Sequence, residues 1–146
     1  MDKYVIVEII PTTRFKNTGD IAQLCAIKCD NDIISNLNLR LELEKIQVPD
    51  ILNMVNYDID KFEYLNTSNK IINKFKKFIK DYKLIIIPNE YTLDYLSDLD
   101  NEKISICEIL KIKFSDNLIN DIVSSYNLNQ NDEIVEIMYK AIKNMK

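Results

Sequence analysis

The chain has 146 residues, of which 47% are hydrophobic and 29% charged, and these values predict one soluble globular domain spanning residues 1–146. A single Gly and the absence of His exclude glycine-rich phosphate loops, His-ligated zinc and imidazole general bases, so any chemistry would use carboxylates, Lys, Tyr or Cys. The net charge of −4 argues against generic nucleic-acid binding but leaves room for a local basic groove.

Three strands are predicted at the start of the chain. Residues 4–10 form a β-branched apolar run that only Glu8 interrupts, which is typical of a strand inside a covered sheet. Residues 21–29 and 33–41 predict two more strands, joined by a hairpin turn at residues 30–32. The short connections favour antiparallel pairing of these strands.

Helices and strands alternate in the rest of the chain. Residues 45–67 are predicted to be irregular or to form short helices, and a helix over residues 68–80 follows. Then come a strand at 84–87, a short helix after Asn89, a strand near 103–107, and helices over about 116–126 and 132–144. This order predicts an α/β fold with a ribonuclease-H-like mixed five-stranded sheet, three antiparallel strands first, and helices on both faces.

These segments, taken in order, resemble the DEDD-type 3′–5′ exonucleases, the group of proofreading exonuclease subunits and oligoribonucleases. The run V-I-V-E-I-I-P-T-T at residues 5–13 is similar to that family's strand ending in D-x-E-T-T-G, and residues 21–29 resemble its next strand, I-x-Q-I-x-A-V-K. The run L-I-I-I-P-N at 84–89 resembles the strand before H-N-x-x-F-D, and residues 131–141 lie where H-x(4)-D-A belongs. The resemblance covers nearly the whole chain and implies the same fold.

The resemblance does not extend to the catalytic positions. In that family four carboxylates hold two Mg²⁺ or Mn²⁺ ions, and a His or Tyr takes a proton from water. The matched motifs place the four ligands at Ile9, Pro11, Leu93 and Glu136, and the general base at Asn131. Because one ligand position of the four is acidic, we expect an impaired enzyme, a pseudo-enzyme, with no catalytic residue, metal ligand or cofactor.

A shifted register would keep more carboxylates. The residues available for such a rearranged catalytic site, which would use Mg²⁺ or Mn²⁺, are Glu8, Asp94, Asp132 and Glu136. Glu8 comes one residue before a matched position, and Asp94 one residue after. A slip of one residue turns a strand side chain to the opposite face and rotates a helical one by about 100°.

Three polar residues are candidates for nucleic-acid binding. Thr12 and Thr13 offer hydroxyls and backbone amides to a phosphate or a terminal nucleotide, and Asn89 matches the Asn of the family's second motif. Each also has a structural interpretation, since threonines are common in turns and Asn is a common helix N-cap.

Three functions are compatible with this pattern. The first is an impaired 3′–5′ exonuclease-like domain that binds a single-stranded nucleic-acid end or a protein. The second is an active metal-dependent 3′–5′ exonuclease with rearranged carboxylates, and the third is a protein-interaction or homodimeric self-assembly module without nucleic acid. The sequence shows no leader pattern, no apolar run long enough for a membrane and no C-x-x-C pair, so we expect a cytoplasmic protein without a membrane partner.

Overall fold

The chain folds into a mixed sheet of six strands with helices on both faces. The structure, a computed structural model, describes residues 3–12, 20–42, 61–87 and 92–145. Its strands are β1 (Lys3–Pro11), β2 (Ile21–Asp30), β3 (Asp32–Leu41), β4 (Glu63–Leu65), β5 (Lys83–Ile86) and β6 (Lys103–Ser105). Its helices are α1 (Ser68–Ile79), α2 (Thr92–Tyr95), α3 (Ile106–Leu110), α4 (Leu118–Tyr126) and α5 (Ile134–Asn144).

The strand order confirms the predicted ribonuclease-H-like class. The order is β4-β3-β2-β1-β5-β6, in which β1–β2 and β2–β3 are antiparallel and β1–β5 and β5–β6 are parallel. The sheet has one strand more than the five expected, because β4 pairs with the end of β3 in a parallel direction. A three-residue strand is too short to show an alternating pattern in the sequence.

The central strand β1 is buried on both faces, as its sequence predicts. Val7 and Ile9 point to one face, where they pack with three buried residues of α1: Ile71, Phe75 and Ile79. Tyr4 and Ile6 point to the other face, which α3, α4 and α5 cover. Because side chains alternate along a strand, Glu8 belongs to the face covered by α5.

Two hydroxyl groups account for small differences from the predicted boundaries. The cap of α1 is Thr67, whose Oγ1 accepts a hydrogen bond from Lys70 N at 3.3 Å, whereas Ser68 Oγ accepts one from Ile21 N at 2.8 Å. The strand expected near residues 103–107 ends at Ser105, because Ser105 Oγ accepts a hydrogen bond from Cys107 N at 3.1 Å and starts α3.

Some sequence predictions lie outside the described residues. These are the predicted irregular structure of residues 45–60 and the start of the short helix at Asn89, whose later part is α2. Along the part of the chain that the structure describes, no helix is both long enough and apolar enough to span a bilayer.

Candidate functional site

A cavity of about 260 Å³ lies where β1 ends beside the start of α5, and we call it the β1–α5 pocket. Strands β1 and β2 form its floor, and the loop that leads into α5 forms one wall. The ring of Phe62 and the aliphatic side chains of Ile10, Ile134 and Val135 supply its apolar surface. Among the described residues, its polar lining consists of Glu8, Gln23, Lys61, Asn131, Asp132 and Glu133.

The pleat of β1 determines which residue faces this pocket. Glu8 lies opposite Cys25 of β2 in the sheet register, and both line the pocket. Ile9 is 1% exposed and packs in the core on the α1 side of the sheet. Ile9, which the resemblance matches to the first ligand, therefore faces away from this pocket, whereas Glu8, one residue earlier, lines it.

Glu8 has an unusual electrostatic environment. Desolvation by burial raises the pKa of its carboxyl group from 4.5 to about 7, and no charge on a described residue contributes to that shift. Among the described residues, no side chain or backbone group donates a hydrogen bond to the carboxyl or forms an ion pair with it. At neutral pH the group is therefore present in both its protonated and its ionised form.

The two acidic residues in the loop before α5 are each paired with a lysine. Lys140 Nζ lies 2.5 Å from Asp132 Oδ2, and this hydrogen bond raises the pKa of Lys140. Lys61 forms an ion pair with Glu133 across the pocket wall. Because both lysines lie far from their partners in the sequence or on another element, no local motif predicts these pairs.

A fully buried arginine, which no sequence pattern singles out, lies behind the pocket. Arg40 of β3 is 0% exposed, and its guanidinium carbon lies 3.9 Å from the ring centre of Phe62. It donates hydrogen bonds to Gln23 Oε1 at 2.8 Å and to the hydroxyl of Tyr64 at 3.3 Å. Gln23 Nε2 in turn lies 3.7 Å from Cys25 Sγ, so the arginine fixes the position of a pocket-lining amide.

The four carboxylates of the rearranged site do not all meet. Glu8 and Asp132 line the β1–α5 pocket, whereas Asp94 is exposed on α2 and Glu136 lies in the first turn of α5, outside the pocket lining. Asn131, matched to the general base, also lines the pocket. Within the described ranges, no three acidic or cysteine side chains are grouped closely enough to hold a metal ion.

The remaining predicted site residues have structural positions. Thr12 closes the loop between β1 and β2, since its N–H donates to Asp20 O and its Oγ1 accepts from Asp20 N, both at 2.7 Å. Pro11 is the last residue of β1, and Leu93 lies within α2. Two of the three nucleic-acid candidates, Thr13 and Asn89, lie outside the described residues.

Sheet order, strand directions and helix layers together define a ribonuclease-H-like exonuclease fold. Solved structures of exonuclease I share it. The apo enzyme superimposes with a TM-score of 0.62 at 10% identity over 100% of this chain and 43% of that chain. The zinc-bound complex of E. coli exonuclease I with single-stranded DNA gives 0.60 at 11% identity over 98% of this chain and 39% of that chain.

A complex of exonuclease I with SSB-Ct gives a TM-score of 0.63 at 11% identity, over 99% of this chain and 40% of that chain. This chain therefore spans about two fifths of the length of the exonuclease I chains that it matches. No protein-family profile and no curated protein sequence matches the chain. At sequence identities of 10–11%, the structural similarity shows a shared fold and does not show a shared chemistry.

Proposed function

We propose that this chain is a 3′–5′ exonuclease-like domain that has lost two-metal hydrolysis and acts as a binding module for a nucleic-acid end or a protein. The charge pairing in the β1–α5 pocket carries this proposal. Asp132 and Glu133 are paired with lysines, and Glu8 has a raised pKa. A pair of divalent cations requires several ionised carboxylates with free oxygen atoms.

The pocket residues do not fit two Mg²⁺ or Mn²⁺ ions. The ammonium groups of Lys61 and Lys140 already neutralise the carboxylates that a cation would need. Metal binding would have to break both ion pairs and also ionise Glu8, whose burial opposes its charge. Ile10, the next residue of β1 that lines the pocket, supplies no ligand atom from its side chain.

Support for a binding role comes from the retained fold. Solved structures with this fold include exonuclease I with single-stranded DNA and exonuclease I with SSB-Ct. We infer that a ligand of this chain occupies the β1–α5 pocket without being cleaved. A cytoplasmic location remains a prediction from the sequence.

The proposal is tested by incubating the purified chain with Mn²⁺ and end-labelled single-stranded DNA and RNA oligonucleotides. We expect no shortening beyond that given by the double variant Glu8→Gln/Asp132→Asn. Glu108 provides a matched control, because it is exposed on α3 outside the pocket. Robust digestion by the wild type and by Glu108→Gln, lost in the double variant, would overturn the proposal.

That outcome would establish the second candidate, an active exonuclease with rearranged carboxylates. One observation favours it: Glu8 and Asp132 line the same pocket although they lie near opposite ends of the chain. The oligonucleotide assay separates the two functions, because only an active exonuclease would shorten the oligonucleotides in a reaction that requires both carboxylates and Mn²⁺.

A further inference from the structure

We propose that the outward side of α1 binds the phosphate backbone of a single-stranded nucleic acid, and that a cavity beside it takes one of the bases. We call this surface the α1 lysine face, and its residues are Lys70, Lys74, Lys76, Lys77 and Lys80. Helix α1 packs on the side of the sheet opposite to α3, α4 and α5. The inference therefore goes beyond the proposed function, because it concerns a second surface and holds whether or not the β1–α5 pocket cleaves nucleic acid.

Positive charge is concentrated on this helix. Residues 68–80 contain the five lysines and no acidic residue, so the segment carries +5 within a chain whose net charge is −4. All five side chains are exposed. Glu63 forms an ion pair with Lys74, whereas the other four lysines have no ion-pair partner among the described residues. Their ammonium groups point to solvent, where an anionic ligand can reach them.

Helix stability does not account for this arrangement. Lys70 and Lys74 are four residues apart, as are Lys76 and Lys80, and like charges at this spacing destabilise a helix. Lys70 also lies in the first turn of α1, where the positive end of the helix dipole disfavours a cation, and that turn contains no acidic residue. An anion bound along the face would remove both costs, so its binding should stabilise the fold.

The positive surface continues beyond the end of α1. Lys28 of β2 donates a hydrogen bond from Nζ to Phe78 O at 2.8 Å, and its ammonium lies 4.6 Å from the centre of the Tyr82 ring. Desolvation and, to a lesser extent, the positive charge of Lys80 lower the pKa of Lys28, and the carboxylate of Asp81 offsets part of this effect. The α1 lysine face is therefore extended at this end by a lysine from the sheet.

A cavity of about 340 Å³ borders the face, between α1 and the end of α2 with the residues that follow it. Asn69, Asn73 and Lys76 line it from α1, where their spacing of four and three residues places them on one side of the helix. The rest of the described lining is Ile72, Tyr95, Asp98 and Leu99. Because Lys76 and Asp98 are opposite charges, this lining suits a neutral polar group.

These features together favour a single-stranded nucleic acid. Lys70, Lys74 and Lys77 form one row along the helix at axial intervals of about 6 and 4.5 Å, and a row of cations matches a chain of phosphates. The amides of Asn69 and Asn73 each offer a donor and an acceptor to the edge of a base. A base can enter the cavity only when it is unpaired, which favours a single strand over a duplex.

A membrane and an acidic protein fit this surface less well. Ile71, Phe75 and Ile79 are buried against the sheet, so the apolar side of α1 is not available to insert into a bilayer. An acidic peptide would match the lysines, but its carboxylates give it no neutral group that pairs with both amides in the cavity.

The test is the binding of a labelled oligothymidine to the full chain, measured by fluorescence anisotropy in EDTA to prevent metal-dependent cleavage. Lys76→Gln/Lys77→Gln removes two charges from the face, and the matched control Lys111→Gln/Lys113→Gln removes two exposed lysines between α3 and α4. We expect the first double variant to bind at least fivefold more weakly than the wild type and the control to bind as the wild type does. Equal effects of the two double variants would overturn the proposal, because they would show a response to net charge alone.

Salt gives an independent readout. If the four lysines without a described partner contact phosphates, the logarithm of the affinity should fall with the logarithm of the salt concentration with a slope of about −3. The slope should be about −1.5 for Lys76→Gln/Lys77→Gln and unchanged for the control. Thermal unfolding confirms that each variant is folded, and oligothymidine should raise the midpoint of the wild type. A salt-independent affinity would contradict the proposal.

Competitors identify the ligand. An abasic oligonucleotide has the same phosphates without bases, so the wild type should bind it at least threefold more weakly than oligothymidine, and Asn73→Leu should remove the difference. Equal binding of the two by the wild type would overturn the role of the cavity. Displacement by charge-matched polyglutamate as effective as by unlabelled oligothymidine would overturn the assignment to nucleic acid, and so would tighter binding to phosphatidylglycerol vesicles. Tighter binding of duplex DNA would overturn the assignment to a single strand.

This inference and the proposed function fail separately. Digestion of oligonucleotides with Mn²⁺ would overturn the loss of hydrolysis and leave the α1 lysine face in place. Equal binding by the two lysine double variants would remove this surface and leave the non-hydrolytic domain in place.

Discussion

The carboxyl group of Glu8 links the stability of the protein to pH. Its pKa is about 7 in the folded chain and returns to about 4.5 on unfolding, so folding favours the protonated form. The stability that this group contributes is complete below pH 4.5 and is lost as the pH rises to about 7. The shift corresponds to about 3 kcal/mol in the free energy of unfolding.

We therefore expect the wild type to lose about 3 kcal/mol more stability than Glu8→Gln between pH 4.5 and pH 8. Urea unfolding at several pH values, followed by circular dichroism, measures this difference. Because both proteins share every other titrating group, the comparison isolates Glu8. Parallel stability profiles for the two proteins would show that the carboxyl is better solvated than its position implies.

Arg40 presents the opposite case, a buried positive charge. It has no ion-pair partner among the described residues, and its Nε has no hydrogen-bond partner there. Its guanidinium nevertheless packs on Phe62 and holds Gln23. Packing and hydrogen bonding therefore oppose the cost of burying the charge.

Replacement of Arg40 should separate these contributions. Arg40→Ala removes both packing and hydrogen bonds and should lower the free energy of unfolding by about 3 kcal/mol. Arg40→Met keeps much of the volume while removing the buried charge, and should cost about 1 kcal/mol. Urea unfolding of both variants measures the difference. Equal losses would indicate that the hydrogen bonds, rather than the packing, dominate.

At the scale of elements, long amphipathic segments could be predicted from the sequence and short ones could not. The helix predicted for residues 68–80 is α1, because a stripe of apolar residues lies opposite lysines along its length. Helix α3 has five residues and β4 has three, so neither spans enough turns or alternations to give a periodic signal. Their positions depend instead on the Ser105 cap and on pairing with β3.

The end of α3 carries local backbone strain. Lys111 has φ 56° and ψ 46°, the left-handed conformation in which glycine avoids a steric penalty. Lys111→Gly should therefore stabilise the protein by about 0.5–1 kcal/mol, after allowing for the greater entropy of the unfolded chain. Thermal unfolding provides the measurement. Lys113→Gly is the control, because that residue does not have a positive φ and the substitution should give no gain.

At the scale of the whole molecule, the class of sheet was predictable and the pocket was only partly so. Three sequential strands followed by alternating helices and strands specify a ribonuclease-H-like sheet. The face on which Glu8 lies depends on the register of β1 against β2. A motif match that is offset by one residue therefore assigns the side chain to the opposite face of the sheet. The pairs Lys61–Glu133 and Arg40–Gln23 join separate elements, so only the assembled fold brings them together.

The position of β1 between β2 and β5 also sets an order for folding. Strands β1, β2 and β3 follow one another closely, so they can pair early, whereas β1–β5 pairing must close a long loop. The apolar face of β1 and β2 that α5 covers, including Tyr4 and Ile6, stays open until that helix is made and docks. This face is therefore exposed on a nascent chain until the later helices dock, and exposed apolar sheets are the kind of surface that aggregates or binds chaperones.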